Sequence, residues 1–166
     1  LLASEPVVLK QLPHLKDVTA MLELLGELGL GYCLNQEGDI TVFLDSSQNT
    51  IAPYELTHKT RASILLLGPL LARRGKVKIG LPGGCMIGSR PINLHLNGLE
   101  KMGAQITVHD HYIEAVCEHG LKGATIVLEM VSVTTTQNLI MAATLATGTT
   151  VIKNAACEPE IVDLIY

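Results

Sequence analysis

The chain has 166 residues, 48% apolar and 17% charged, with a formal net charge of −4. That length carries one domain with a real core, and that composition excludes a disordered chain. The acidic balance gives no reason to expect a nucleic-acid partner, although a local basic site for a phosphorylated small molecule stays open.

Helix and strand alternate along the sequence. A strand is predicted at 6–10. A helix follows at 18–28, with Val18, Met21, Leu22, Leu25 and Leu28 on one face, Asp17 as its N-cap and Gly29 as its stop. Cys33 lies on a strand-like stretch, and a further strand is expected at 39–44. The next helix, 54–73, ends at Arg73 and Arg74, which suit the negative end of the dipole, with Gly75 as a left-handed cap. Its apolar part, ASILLLGPLLA, falls short of the roughly 18 residues a membrane span needs and contains Gly68 and Pro69, so it reads as buried and no membrane partner is expected. Strand 76–80 leads to a helix at 91–102 with Pro91 in its first turn and Ile92, Leu96 and Leu99 at helical spacing. Strands 105–109 and 112–117 form a hairpin turning at Asp110–His111. A strand at 124–129, a helix at 137–146 before Gly148 and a strand at 149–153 follow, and a helix begins in EPEIVDLIY. The class is α/β or α+β, in layers without an obvious linker.

An internal repeat organises these elements. Leu-Ala is followed at a fixed distance by Val three times: Leu2 to Val8, Leu71 to Val77, and Leu145 to Val151. LELLGELGLGY and LNGLEKMGAQI echo each other, each closing an apolar helix face with a glycine, Gly29 and Gly103. Units of about 70 residues, two complete and a third begun, are expected to pack around a shared core. The chain opens inside an apolar phrase and stops where a helix starts, so it is expected to be part of a longer protein. Cys33, Cys85, Cys117 and Cys157 form no CxxC pair and no small disulfide scaffold, which points to a reducing cytoplasm.

The densest chemistry is GLPGGCMIGSRP at 80–91. Gly83, Gly84 and Gly88 permit positive φ and close approach to a ligand, backbone amides there can line an anion concavity, and a helix start at Pro91 adds its dipole. Arg90 adds a bidentate cation, so the Cys85 thiol is expected to be activated as nucleophile or proton donor. A tight turn around a small buried cysteine also fits. A nucleotide-triphosphatase loop does not, because Ser89 and Arg90 stand where Lys and Ser/Thr are required. In YELTHKTRAS, Arg61 either points into a cleft or belongs to a solvated helix face, and residue types alone favour the latter. His109, His111, Cys117 and His119 lie on the hairpin without compact ligand spacing, so no metal is expected. Cys33 and Cys117 read as packing residues, and Cys157 has acidic neighbours that disfavour a thiolate.

APYELTHKTRASILLLGPLLAR, LPGGCMIGSRPINLHLNGLEKMGA, VSVTTTQNLIMAATLATGTT and NAACEPEIVD together resemble the UDP-N-acetylglucosamine enolpyruvyl transferases, over essentially the whole chain. The resemblance implies an inside-out α/β barrel in two domains of three units each, with the active site between them. Six such units need roughly 420 residues, so the chain is expected to be most of the domain carrying the cysteine loop, without the extreme N-terminus and the second domain. It implies transfer of the enolpyruvyl group of phosphoenolpyruvate to the 3-hydroxyl of UDP-N-acetylglucosamine, the first committed step of peptidoglycan synthesis, with no cofactor. Cys85 matches the family's proton donor and fosfomycin target. Arg61 matches a substrate-contacting arginine and Arg90 the loop arginine at the phosphate. Arg90, Pro91, Ile92, Asn93 and Leu94 match one nucleotide-sugar segment, Met130, Val131, Ser132 and Val133 another, and His95 a histidine beside the loop. The sequence departs from the family at Asn93 (often Asp), Met130 (Lys in some), Thr135 (glycine in VTGTEN) and Cys157 (arginine in NAAREPE). The family's N-terminal Lys-Asn pair and the catalytic Asp of its other domain are not in the sequence, so the chain alone is expected to be inactive. A non-catalytic binding domain of the same fold, and a 5-enolpyruvylshikimate 3-phosphate synthase-like transferase, are the alternatives.

Overall fold

One pattern, strand–helix–strand–strand–strand–helix, runs twice along the chain and begins a third time. The computed structural model describes residues 1–35, 38–44, 49–83 and 92–166. The first unit comprises β1 (Val7–Leu9), α1 (Lys16–Glu27), β2 (Leu30–Leu34), β3 (Ile40–Leu44), β4 (Ile51–Ala52), α2 (Tyr54–Thr57), a 3₁₀ helix (Arg61–Leu66) and α3 (Leu67–Arg74). The second has β5 (Lys76–Gly80), α4 (Asn93–Lys101), β6 (Gln105–Val108), β7 (Tyr112–Val116), β8 (Thr125–Val127) and α5 (Val133–Ala143). β9 (Val151–Lys153) and α6 (Pro159–Ile165) open the third.

Strand pairing repeats as well. β1 pairs antiparallel with β3 and β3 with β2, and likewise β5 with β7 and β7 with β6. The last strand of each unit crosses over to lie parallel to the first of the next, β4 beside β5 and β8 beside β9. The valines of the sequence repeat, Val8, Val77 and Val151, all sit in these opening strands. Gly29 and Gly103 occupy equivalent positions after α1 and α4, with φ of 85° and 97°, where a Cβ would be strained.

Helices α3, α4 and α5 lie inside, while the sheets, α1 and α6 are more exposed. Leu67, Leu70 and Leu71 of α3 and Leu139 and Ala142 of α5 are buried with Ile79, Leu99, Met102, Ile113 and Ile126. A Cβ on Gly68 would meet the backbone and side-chain oxygens of Asn138, and one on Gly98 would meet Leu139. α5 therefore nests against α3 and α4 at points where the facing residue has no side chain. Among the described residues, no helix is long and apolar enough to cross a membrane.

Most element boundaries agree with the sequence to within a few residues, and the exceptions have local causes. The predicted helix 54–73 is broken after Thr57. Thr60 is extended at φ −145°, ψ 139°, and its side chain accepts from the Ala62 N–H at 3.3 Å, starting a new helical segment. Pro69 then falls in the first turn of α3, where it needs no hydrogen-bonding N–H. α3 ends as expected, with Gly75 left-handed at φ 70°. α1 starts at Lys16 with Leu15 as an N-cap that makes no side-chain bond, so Asp17 lies in the first turn. The chain turns in beforehand, Leu15 N–H donating to the Pro13 carbonyl at 2.9 Å. α4 begins at Asn93 with Ile92 as its N-cap. α5 begins four residues before the predicted start, because Ser132 caps a β-branched run whose intrinsic helix propensity is low.

Candidate functional site

A cavity of about 500 Å³ opens where the 3₁₀ helix, α4 and the approach to α5 meet. Its walls are Arg61, Ala62, Ile64 and Leu65, then Leu94 and His95, then Met130 to Thr134. Seven residues singled out from the sequence therefore come together here: Arg61, Leu94, His95, Met130, Val131, Ser132 and Val133.

Each wall has a local reason to stand where it does. Arg61 is half-buried at the first position of the 3₁₀ helix, behind a buried polar turn. Ser63 Oγ donates within that turn, to the carbonyls of Thr57 at 2.9 Å or Thr60 at 2.8 Å. The solvated-face expectation for Arg61 is thus corrected: the break after Thr57 turns residue 61 toward the cavity. Ser132 Oγ accepts from the Thr135 N–H at 3.3 Å, and Thr136 Oγ1 donates to the Ser132 carbonyl at 2.8 Å while accepting from the Ala156 N–H at 3.0 Å. The first turn of α5 has no acidic residue, so its positive dipole end faces the cavity uncompensated within that turn. Thr135 is buried and its hydroxyl accepts from the Ser132 hydroxyl at 2.9 Å.

His95 is 3% exposed, and its imidazole pKa falls to about 4. Burial is the larger cause and the charge of Arg61 the second. It is neutral at pH 7. Nδ1 lies 3.0 Å from Nδ2 of Asn138, a fully buried residue on α5. In the sequence Asn138 shows only as a polar residue at helical spacing with Thr135, Leu139 and Ala142, which are buried here.

Two further predicted residues take other places. Ile92 is half-buried against the core and Asn93 is exposed at the start of α4; neither lines the cavity. Cys85, Arg90 and Pro91, with Gly84 and Gly88, lie outside the described residues. The root of their loop is described. Leu81 N–H donates to the His111 carbonyl at 2.9 Å, and a Cβ on Gly83 would run into the His58 carbonyl. Gly83 does not have positive φ, so it serves close packing and not the left-handed conformation expected of it. Tyr54 flanks this root, with its ring 5.1 Å from His58 and 5.5 Å from His111.

The hairpin histidines have other neighbours. His109 stacks on Tyr112 at 4.3 Å, and its N–H closes the Asp110–His111 turn on the Tyr112 carbonyl at 2.9 Å. Cys117 is buried, its thiol donating to the Gly103 carbonyl at 3.5 Å, and burial raises its pKa against the opposing pull of Lys122. Among the described residues, no three His, Cys, Asp or Glu are gathered to hold a metal. A second concavity of about 480 Å³ lies beside α1, but its lining is apolar apart from Glu5 and Asp17. It offers an anion nothing. The first cavity combines a guanidinium, a helix N-terminus and a neutral imidazole with apolar walls from Ile64, Leu65, Leu94 and Val131, a set suited to a ligand with both phosphate and apolar faces.

All of residues 1–166 match the sequence profile of EPSP synthase (3-phosphoshikimate 1-carboxyvinyltransferase). The chain is 54% identical over 164 residues to the UDP-N-acetylglucosamine 1-carboxyvinyltransferase of Magnetococcus marinus, and 53% identical to that of Coxiella burnetii. In each case 99% of the chain is aligned, but it spans only 39% and 38% of those proteins' lengths. Among solved structures, the enolpyruvyl transferase NikO from Streptomyces tendae superposes with a TM-score of 0.79 at 17% identity, over 98% of this chain and 38% of that one. EPSP synthase from Acinetobacter baumannii gives 0.72 at 19%, over 97% and 38%. The repeated units are thus the enolpyruvyl transferase fold, and the chain belongs to the EPSP synthase family.

Proposed function

We propose that this chain is the cysteine-loop part of a UDP-N-acetylglucosamine 1-carboxyvinyltransferase. That enzyme moves the enolpyruvyl group of phosphoenolpyruvate to the 3-hydroxyl of UDP-N-acetylglucosamine and releases phosphate, opening peptidoglycan and cell-wall synthesis in the cytoplasm. The observation that carries the proposal is the convergence of Arg61, His95 and Met130–Val133 on one cavity at the start of α5, from three separate segments. The proteins at 53–54% identity bear that activity in their names.

In this reading a proton passes to the methylene carbon of phosphoenolpyruvate, making it a methyl group; the sugar 3-hydroxyl oxygen adds to the neighbouring carbon and gives up its own proton to a base; loss of phosphate and of one methyl proton then restores the double bond. Cys85 is the proton donor. Arg90 and Arg61 meet phosphate charge as it develops, and the α5 N-terminus shares the cavity with Arg61. Leu94, His95 and Met130–Val133 hold the nucleotide sugar, with Arg90, Pro91, Ile92 and Asn93 completing that segment. A second domain of the same protein supplies the remaining catalytic groups, so the 166 residues alone release no phosphate.

The test uses the full-length protein. Phosphate release requiring both substrates, and fosfomycin labelling of Cys85 that UDP-N-acetylglucosamine accelerates, are expected. Turnover of shikimate 3-phosphate instead, or nucleotide-sugar binding with neither labelling nor turnover, overturns the proposal.

A further inference from the structure

Asn138 is fully buried on α5 and makes three polar contacts at once. Its Oδ1 accepts from the Gly68 N–H at 2.8 Å, and its Nδ2 donates to the Ile64 carbonyl at 3.3 Å. A backbone N–H can only donate and a carbonyl can only accept, so these two contacts settle which end of the amide is which. The NH₂ end is therefore the one that meets His95 Nδ1 at 3.0 Å. A donor facing Nδ1 requires Nδ1 to be the acceptor, which puts the ring's single proton on Nε2. An imidazolium would set N–H against N–H. Gly68 makes the arrangement possible, because any side chain there would occupy the space of the Asn138 oxygens.

We infer that Asn138 is a positioning residue that holds His95 as a neutral Nε2–H donor on the cavity wall, so that His95 serves an oxygen acceptor of the bound nucleotide sugar. The site's occupant rests on the function proposed above; the tautomer does not. Ile64 lines the same cavity, and Asn138 ties its backbone to the His95 ring. One amide thus holds two walls together.

The experiment is long-range ¹H–¹⁵N NMR on full-length protein labelled at histidine, with His95→Gln identifying the resonance, alongside steady-state kinetics. Near pH 7 the wild type should show His95 neutral with the proton on Nε2. Asn138→Asp places an acceptor opposite Nδ1 and should move a proton onto it. Asn138→Ser withdraws the donor and should raise KM for UDP-N-acetylglucosamine about ten-fold, with kcat changing less than about three-fold. A wild-type His95 protonated on Nδ1 overturns the inference whatever the variants do, and so does a wild-type tautomer unchanged in a folded Asn138→Asp protein. If neither variant folds, the wild-type spectrum alone decides. An Nε2–H tautomer in a protein that does not turn over the nucleotide sugar refutes the proposed function and leaves the role of Asn138 standing.

Discussion

Acidification should expose the buried imidazole of His95. The folded protein holds this group at about 4, against 6.5 for an unperturbed histidine. Between those values the unfolded chain binds a proton that the folded chain refuses, so stability rises with pH across that window. The contribution is fully present above 6.5 and lost as pH falls toward 4. The whole gap corresponds to about 3 kcal/mol, of which about 2 kcal/mol is lost between pH 7 and pH 5. Because His95 is buried, little of this is screened by solvent. The Asn138 amide reinforces it, since its NH₂ end faces the nitrogen a second proton would occupy. The assay is urea unfolding of the full-length protein at pH 7 and pH 5, wild type beside His95→Gln. The wild type should lose about 2 kcal/mol more than the variant over that interval. Equal losses, or an NMR titration of His95 near 6.5, would refute the reasoning.

Gly68→Ala should destabilise the protein by about 1–3 kcal/mol, because the added methyl meets the Asn138 oxygens where α3 and α5 cross; unfolding in urea measures it. Leu139→Ala removes a fully buried side chain from that packing and should cost about 2–5 kcal/mol by the same measurement. Arg61→Lys keeps the charge but not the planar fork, and should weaken substrate binding in the full-length enzyme about ten-fold or more while leaving the unfolding midpoint in place; a steady-state KM checks it. With a thiol reagent on the native protein, Cys33 and Cys157, both exposed, should react before Cys117, whose buried thiol has a raised pKa; peptide mapping gives the order.

Much of the fold was legible because repeat and periodicity are local. The spacing of Val8, Val77 and Val151 marks the strands that open each unit, and Gly29, Gly75 and Gly103 mark turns that only positive φ satisfies. Other boundaries were hidden by competing local signals. The apolar continuity of 62–72 masks the break that Thr60 makes, and the β-branched VTTT run masks the cap at Ser132. For the site, the family resemblance picked out Arg61, His95 and Met130–Val133, which line one cavity, whereas residue types alone placed Arg61 on a solvated surface.

The residues in order carry the repeating unit: most of its strands, the glycines that stop its helices, and the loop that concentrates glycine, thiol and arginine. Those choices depend on backbone conformation and side-chain period, which neighbours in sequence set. Tertiary structure decided which elements face one another. Residue 61 turns to a cavity because the helix breaks before it, and Ile92 and Asn93 stand off that cavity although they adjoin Leu94 and His95, which line it. The proton of His95 was decided last, by a backbone N–H at Gly68 and a carbonyl at Ile64 that orient an amide on another helix. A hydrogen bond between residues 70 positions apart depends on the packing of α3 and α5, and no local pattern encodes it.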